Sequence, residues 1–287
     1  MLHGIGGGLA VLGLVFVAIR LKAYSASLDI SRLTGASVWL IGASALLYGL
    51  ATMMLAMAWR NLLLKLGSQV SLPWAIKIYS QSQLAKYVPG NIFHLAGRQA
   101  LGMTAGLPAW ALAKSSVWEL ALLALSGSLL GLLALPYLNN FFTLQISLSL
   151  FGAGAALVAA LLYRLLGRSA CRAFLWQLSF LFVSGLLFAG LVALLQSKSD
   201  LSMPPILALS GAYVLAWLVG LVTPGAPAGV GVREMVLLYL LRGAIVEADL
   251  LLAVLLGRIV SVSGDIFIYF ISIFIHAGRH AGVIDEP

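Results

Sequence analysis

Apolar residues fall into long blocks along this chain, at about 5 to 19, 37 to 59, 109 to 134, 142 to 163, 173 to 195, 204 to 222 and 248 to 275. Most match the roughly 20 apolar residues a helix needs to cross a bilayer. Polar stretches between them are short. The pattern predicts an all-α, polytopic transmembrane bundle of about seven full spans, with 1–287 as a single transmembrane domain. Arg20 and Lys22 follow the first block where a cleavable leader would carry small residues, so that block is expected to stay as a span.

Two segments break the pattern, "KYVPGNIFHLAGRQ" at 86–99 and "LVTPGAPAGVGVREMVLL" at 221–238. Each runs Pro-Gly, then small residues, then arginine, with nine positions from Pro89 to Arg98 and nine from Pro224 to Arg233. Gln99 follows the first arginine and Glu234 the second. This correspondence predicts an internal duplication, with halves at about 37–135 and 173–275, each carrying one broken or re-entrant segment. The plainer alternative is a pair of interfacial turns with snorkelling arginines. Gly/Pro-interrupted segments at matching places in two repeats point to the substrate site of a secondary transporter.

Proline removes a backbone donor and disfavours helix in the residue before it, so Val88 and Thr223 should leave the helix. Helices are expected over 73–88, opened by Pro73 after Ser71, over 91–106 past Gly90, and over 232–242. Gly225, Gly229 and Gly231 leave the second break bare enough for a ligand to approach. Non-helical backbone at membrane depth is tolerated only where protein buries it or a wet cavity bathes it. As re-entrant hairpins separated by four spans, the two breaks would share one side. As crossing segments they would run in opposite directions, and Arg60 and Lys65 would face away from the basic loops 20–36 and 164–172.

Composition agrees with a membrane solvent: 62% of the residues are hydrophobic and 9% charged, with a mean hydropathy of +1.05. The net charge of +8 sits in short loops, as at Arg164, Arg168 and Arg172, where the positive-inside rule puts it, and nucleic acid is not an expected partner. Cys171, the one cysteine, excludes an internal disulfide.

Three charges lie deep in apolar blocks, where each costs at least ~2.5 kcal/mol and is a functional suspect. Arg258 and Asp265, seven residues apart, fall on nearly one helix face. Glu119 sits among Ser115, Ser116 and Ser126. These charges have two compatible readings. Arg258 and Asp265 tie their helix into the bundle as a pair while Glu119 neutralises Arg98 or Arg233, or Arg98, Arg233 and Arg258 hold an anionic head group in a polar cavity, since the guanidinium fork suits phosphate. His94, one turn before Arg98, either donates to that group or simply packs. Trp39, Trp59, Trp74 and Trp110 read as aromatic belts, and Gly152, Gly154 and Ala156 as a close-packing face. No metal-ligand spacing, nucleotide-binding loop or nucleophile elbow is present, so no cofactor and no metal are expected, nor is catalysis.

"SQLAKYVPGNIFHLAGRQ" followed far downstream by "TPGAPAGVGVREMVLLYLL" resembles the membrane-domain family of lysylphosphatidylglycerol synthase, the flippase-like domain family, over essentially the whole chain. Tyr87, Pro89, Gly90 and Arg98 match its first signature, and Gly229, Gly231, Arg233 and Glu234 the second. The resemblance implies a multi-pass protein of the inner (cytoplasmic) membrane. Such proteins move lipids with polar anionic heads between leaflets, either modified phospholipids or lipids such as polyprenyl-phosphate sugars. The aminoacyl-transfer domain of the synthase is not in these residues, so synthesis of the modified lipid is not expected. Asn91 stands where a lysine would complete a phosphate contact.

The combined expectation is a lipid flippase without ATP, running downhill or coupled to an ion through Glu119 or Asp265. Partners compatible with it are a second copy, a glycosyltransferase or another lipid-modifying enzyme. The alternatives are a non-transporting membrane accessory and an intramembrane enzyme of lipid or glycan modification.

Overall fold

The computed structural model describes residues 35–88, 93–196, 204–223, 229 and 231–275, and those residues form an all-helical bundle. The elements are α1 (Gly35–Lys65), α2 (Leu72–Gln83) with a 3₁₀ turn at Leu84–Tyr87, α3 (Phe93–Thr104), α4 (Ala109–Gly131), α5 (Leu144–Leu166), α6 (Arg168–Gln196), α7 (Ile206–Val222), α8 (Val232–Leu240) and α9 (Glu247–Phe274). Helix α4 continues through a 3₁₀ turn and a short helical turn to Leu138.

Five helices, α1, α4 with its extension, α5, α6 and α9, are long and apolar enough to cross a membrane. Their outward faces carry apolar side chains such as Trp39, Leu47, Val117, Leu157, Leu165 and Phe274, while Thr52, Ser115, Ser126, Gln177, Ser210 and Asp265 are buried. In water that arrangement would waste apolar area. In lipid it costs nothing, and the interior is where polar groups find partners. Of the seven expected spans, the block at 5–19 lies outside the described residues. The block at 204–222 is the 17-residue helix α7, which ends at the second break.

Small residues set the closest crossing. A Cβ on Gly264 of α9 would lie 2.6 Å from the Ala45 carbonyl oxygen of α1, and one on Gly49 2.7 Å from the Gly264 carbonyl oxygen. Only glycine lets these backbones approach so closely. The crossing brings Tyr48 beside Asp265. Of the expected packing face in α5, only Gly154 meets a neighbour, Leu129, whereas Gly152 and Ala156 point outward. The belt expectation also divides. Trp39 and Trp110 are exposed, but Trp59 and Trp74 are buried and stacked at 5.7 Å, because the polar knot described below needs an aromatic wall.

Contacts fix the direction of each hairpin. Lys65 Nζ donates to the Leu166 carbonyl at 2.7 Å, and Arg60 Nε to the Val70 carbonyl at 2.9 Å. The end of α1, the start of α2 and the α5–α6 junction therefore share one basic end of the bundle, so Arg60 and Lys65 do not stand away from Arg164–Arg172 as the crossing arrangement expected. Helix α2 runs inward from that end, antiparallel to α9: Lys77 Nζ donates to the Ile275 carbonyl at 3.1 Å, and Tyr87 reaches Asp265 deeper in. Helix α7 enters from the other end. Its Gly211 packs on Leu133, and its Leu218 on Gly127, antiparallel to α4. With α7 a hairpin limb, three long helices separate the breaks rather than four, and the hairpins enter from opposite ends.

Replacing Gly264 with valine should overpack the crossing and cost roughly 1–3 kcal/mol, whereas Gly152→Val, where an added Cβ meets nothing within 4 Å, should be neutral. Thermal unfolding of the two purified variants in detergent checks this contrast.

Candidate functional site

The first break begins as proline chemistry requires. Ser71 caps α2 by accepting from the Trp74 N–H at 3.4 Å, with Pro73 in the first turn. Val88, just before Pro89, is extended at φ −69°, ψ 133°. The preceding 3₁₀ turn points Lys86 and Tyr87 at α9, where Lys86 Nζ lies 2.6 Å from Asp265 Oδ2 and the Tyr87 hydroxyl donates to the same oxygen at 2.5 Å. Asp265 is fully buried, and its Oδ1 has no partner among the described residues. Pro89, Gly90 and Asn91 lie outside the described residues.

The return limb, α3, carries Arg98, and this arginine is sealed. It is 1% exposed, its NH1 sits 2.5 Å from Glu119 Oε2, and Nε donates to Ser82 Oγ at 3.3 Å. Its guanidinium lies 3.8 Å from the centre of the Tyr79 ring and 5.3 Å from that of Trp59. The Tyr79 hydroxyl donates to Glu119 Oε1 at 2.8 Å. Gln177 Nε2 donates to the Glu119 carbonyl at 3.2 Å, and Trp59 Nε1 to Ser115 Oγ at 3.0 Å. Glu119 thus neutralises Arg98, while the buried Arg98 NH2 has no partner among the described residues. His94 is half-buried nearby, within electrostatic reach of Arg98 and Lys86, and its Nδ1 has no partner among the described residues.

In the second break, Thr223 leaves the helix at φ −80°, ψ 115°, and its hydroxyl turns back to the Val219 carbonyl at 2.7 Å. Pro224 and Gly225 lie outside the described residues. The chain returns against α7 at Gly229, where φ is +70° and an added Cβ would lie 3.2 Å from Gly220 Cα. Two glycines in contact allow this, one for its left-handed backbone and both for space. Glu234 then does two jobs. Its Oε2 accepts the Gly231 N–H at 2.8 Å, capping α8, while Oε1 accepts from Arg258 Nε at 3.0 Å and NH2 at 2.6 Å. Arg258 and Asp265 therefore do not pair with each other. Each is taken by a different hairpin, because seven residues put them about 10 Å apart along α9.

Arg233 differs from the other two arginines. Among the described residues no carboxylate pairs with it, which sets it apart, and its buried Nε has no acceptor, as the Arg98 NH2 has none. Its guanidinium lies 5.5 Å from the centre of the Tyr213 ring, which stacks on Phe188 at 4.5 Å. Tyr48 stands within electrostatic reach of Arg233, Tyr213 and Asp265, and Lys86 Nζ lies 5.8 Å from the centre of its ring.

Asp265, Lys86, Tyr87, Tyr48, Tyr213 and Arg233 thus form one neighbourhood, with Arg258 and Glu234 bracing it. Arg98 and Glu119 form a separate knot with Tyr79. Sequence reasoning missed Lys86, which had a signal in its place beside Tyr87, and Tyr48, Tyr79, Tyr213 and Gln177, which had none. No group of three or more His, Cys, Asp or Glu able to hold a metal occurs among the described residues. Compared with known proteins, the chain matches no family model and no curated sequence.

Removing Arg98 alone strands Glu119 in the interior, so Arg98→Met should cost about 3–5 kcal/mol, and the double variant Arg98→Met/Glu119→Leu should recover most of it. Chemical denaturation of the purified variants measures both. Glu234→Gln, which weakens the cap and the Arg258 pair together, should destabilise by about 2–4 kcal/mol.

Proposed function

We propose that the protein is a carrier for lipids with anionic head groups, moving them between the leaflets of the membrane it spans, as its resemblance to the flippase-like domain family implies. The observation that carries this reading is the state of Arg233. A guanidinium left without a carboxylate among the described residues, beside aromatic rings at the start of a hairpin's return limb, is a ready receptor for phosphate. Lys86 supplies a second cation. Its side chain is 18% exposed and holds Asp265 together with Tyr87, so an arriving phosphate can approach it while the buried carboxylate stays paired. Asp265 rather than the sealed Glu119 is then the carboxylate through which movement would couple to an ion.

The order long helix, broken hairpin, long helix occurs twice, as α1 to α4 and as α6 to α9. We read this as an inverted repeat within the halves at about 37–135 and 173–275. In each half the return limb joins the next long helix through an ion pair, the buried Arg98–Glu119 and the partly buried Glu234–Arg258, with the signs exchanged. Hairpins that enter from opposite ends of the bundle would give such a site access from either leaflet.

Reconstituted in liposomes with a labelled phosphatidylglycerol, the protein should exchange lipid between leaflets. Arg233→Ala should lower the rate about 10- to 100-fold, the worth of a charge-assisted hydrogen bond, without altering thermal unfolding, and Arg233→Lys should restore part of it. Exchange equal to that of empty liposomes across several anionic head groups overturns the carrier in favour of a membrane accessory, and chemical turnover of the lipid favours an enzyme.

A further inference from the structure

At the basic end of the bundle, away from Arg233, α1, the start of α2 and α6 line a cavity of about 520 Å³ that includes Arg60, Asn61, Leu72, Arg172, Leu175 and Trp176. Arg60 is held in place from its stem, since its Nε donates to the Val70 carbonyl at 2.9 Å. That bond leaves its terminal nitrogens as a pre-oriented fork. Arg172 faces it from α6 and is exposed. Among the described residues neither arginine has a carboxylate partner. Lys65, Arg164 and Arg168 flank the same end and raise the local positive potential. Beside the two guanidinium groups the cavity is also lined by the apolar Met57, Leu72 and Leu175 and by Ser179, and Leu175 is 46% exposed on the outer face, where a lipid tail would lie. Trp176, partly buried, lines the same cavity, and tryptophan is a residue type enriched at membrane interfaces.

The geometry points to a resident binding site for the phosphodiester of an anionic membrane lipid, with its phosphate between Arg60 and Arg172 and its chains descending along Leu72 and Leu175. Basic pockets between helices at the positive side of a membrane select such head groups. A free phosphate would satisfy the arginines but leave the apolar wall unused. Because Arg60 also fastens the turn that leads into α2, an occupied site steadies the first hairpin. This site is separate from the carrier site and stands whether or not the protein transports lipid.

The test is retention of lipid by the full chain, purified in detergent, stripped of lipid and titrated with phosphatidylglycerol, with phosphatidylcholine or with inorganic phosphate, read by native mass spectrometry and by thermal unfolding. Phosphatidylglycerol should be retained and should raise the unfolding temperature, and the other two should not. Losing one arginine, at ~1 kcal/mol each, should weaken retention about fivefold, and losing both about 25-fold. Arg172→Gln decides the matter by itself if Arg60→Gln/Arg172→Gln folds poorly, because Arg172 is exposed. Equal retention of both lipids, protection by inorganic phosphate alone, or full retention by Arg172→Gln would overturn the assignment.

Discussion

Helix α9 carries a buried arginine and a buried aspartate, and neither can stay alone in an apolar interior. An unpaired charge there costs several kcal/mol, so each has to be met by an opposite charge from another element. Both partners come from the broken hairpins. Glu234 reaches Arg258 from the second, and Lys86 reaches Asp265 from the first. The two interruptions are thereby tied to one helix about two turns apart, and the Gly49–Gly264 crossing holds that helix against α1.

This constraint sorts the cations. Arg258 is committed to Glu234, and Arg98 to Glu119 under a lid of Tyr79 and Trp59. Both pairs are short and largely dehydrated, which makes them strong clamps and poor receptors, since a ligand phosphate would first have to displace a carboxylate. Arg233 and Lys86 are cheaper to engage. One has no carboxylate to give up among the described residues, and the other keeps part of its side chain exposed beside its carboxylate. A polar interior in this bundle therefore does not mean that every buried charge is open to a ligand.

The same economy explains the glycines. Broken helices need room for a returning strand, and at Gly220 and Gly229 that room is made by omitting side chains. The left-handed backbone at Gly229 turns the chain so that α8 can begin just after Gly231 and aim Glu234 across at α9. Cap, ion pair and close contact lie within a few residues of one another, and each depends on the others being in register.

Properties with local causes were legible in the sequence alone: the helical membrane class from block lengths, the escape of Val88 and Thr223 from helix because proline follows, the Ser71 start of α2, and the nearly common face of Arg258 and Asp265 from a period of 3.6. Partner choice was not. The seven-residue spacing put Arg258 and Asp265 on one face, but helical rise kept them too far apart to pair, and only the fold could say that Glu234, Lys86 and Tyr87 would reach them. Whether α7 crosses or turns back, whether Trp59 meets lipid or Arg98, and which arginine stays open all depend on contacts between residues tens to hundreds of positions apart. Hydrophobic periodicity carries no information about such contacts, because within an apolar bundle every helix looks much the same from its own sequence until its neighbours are in place.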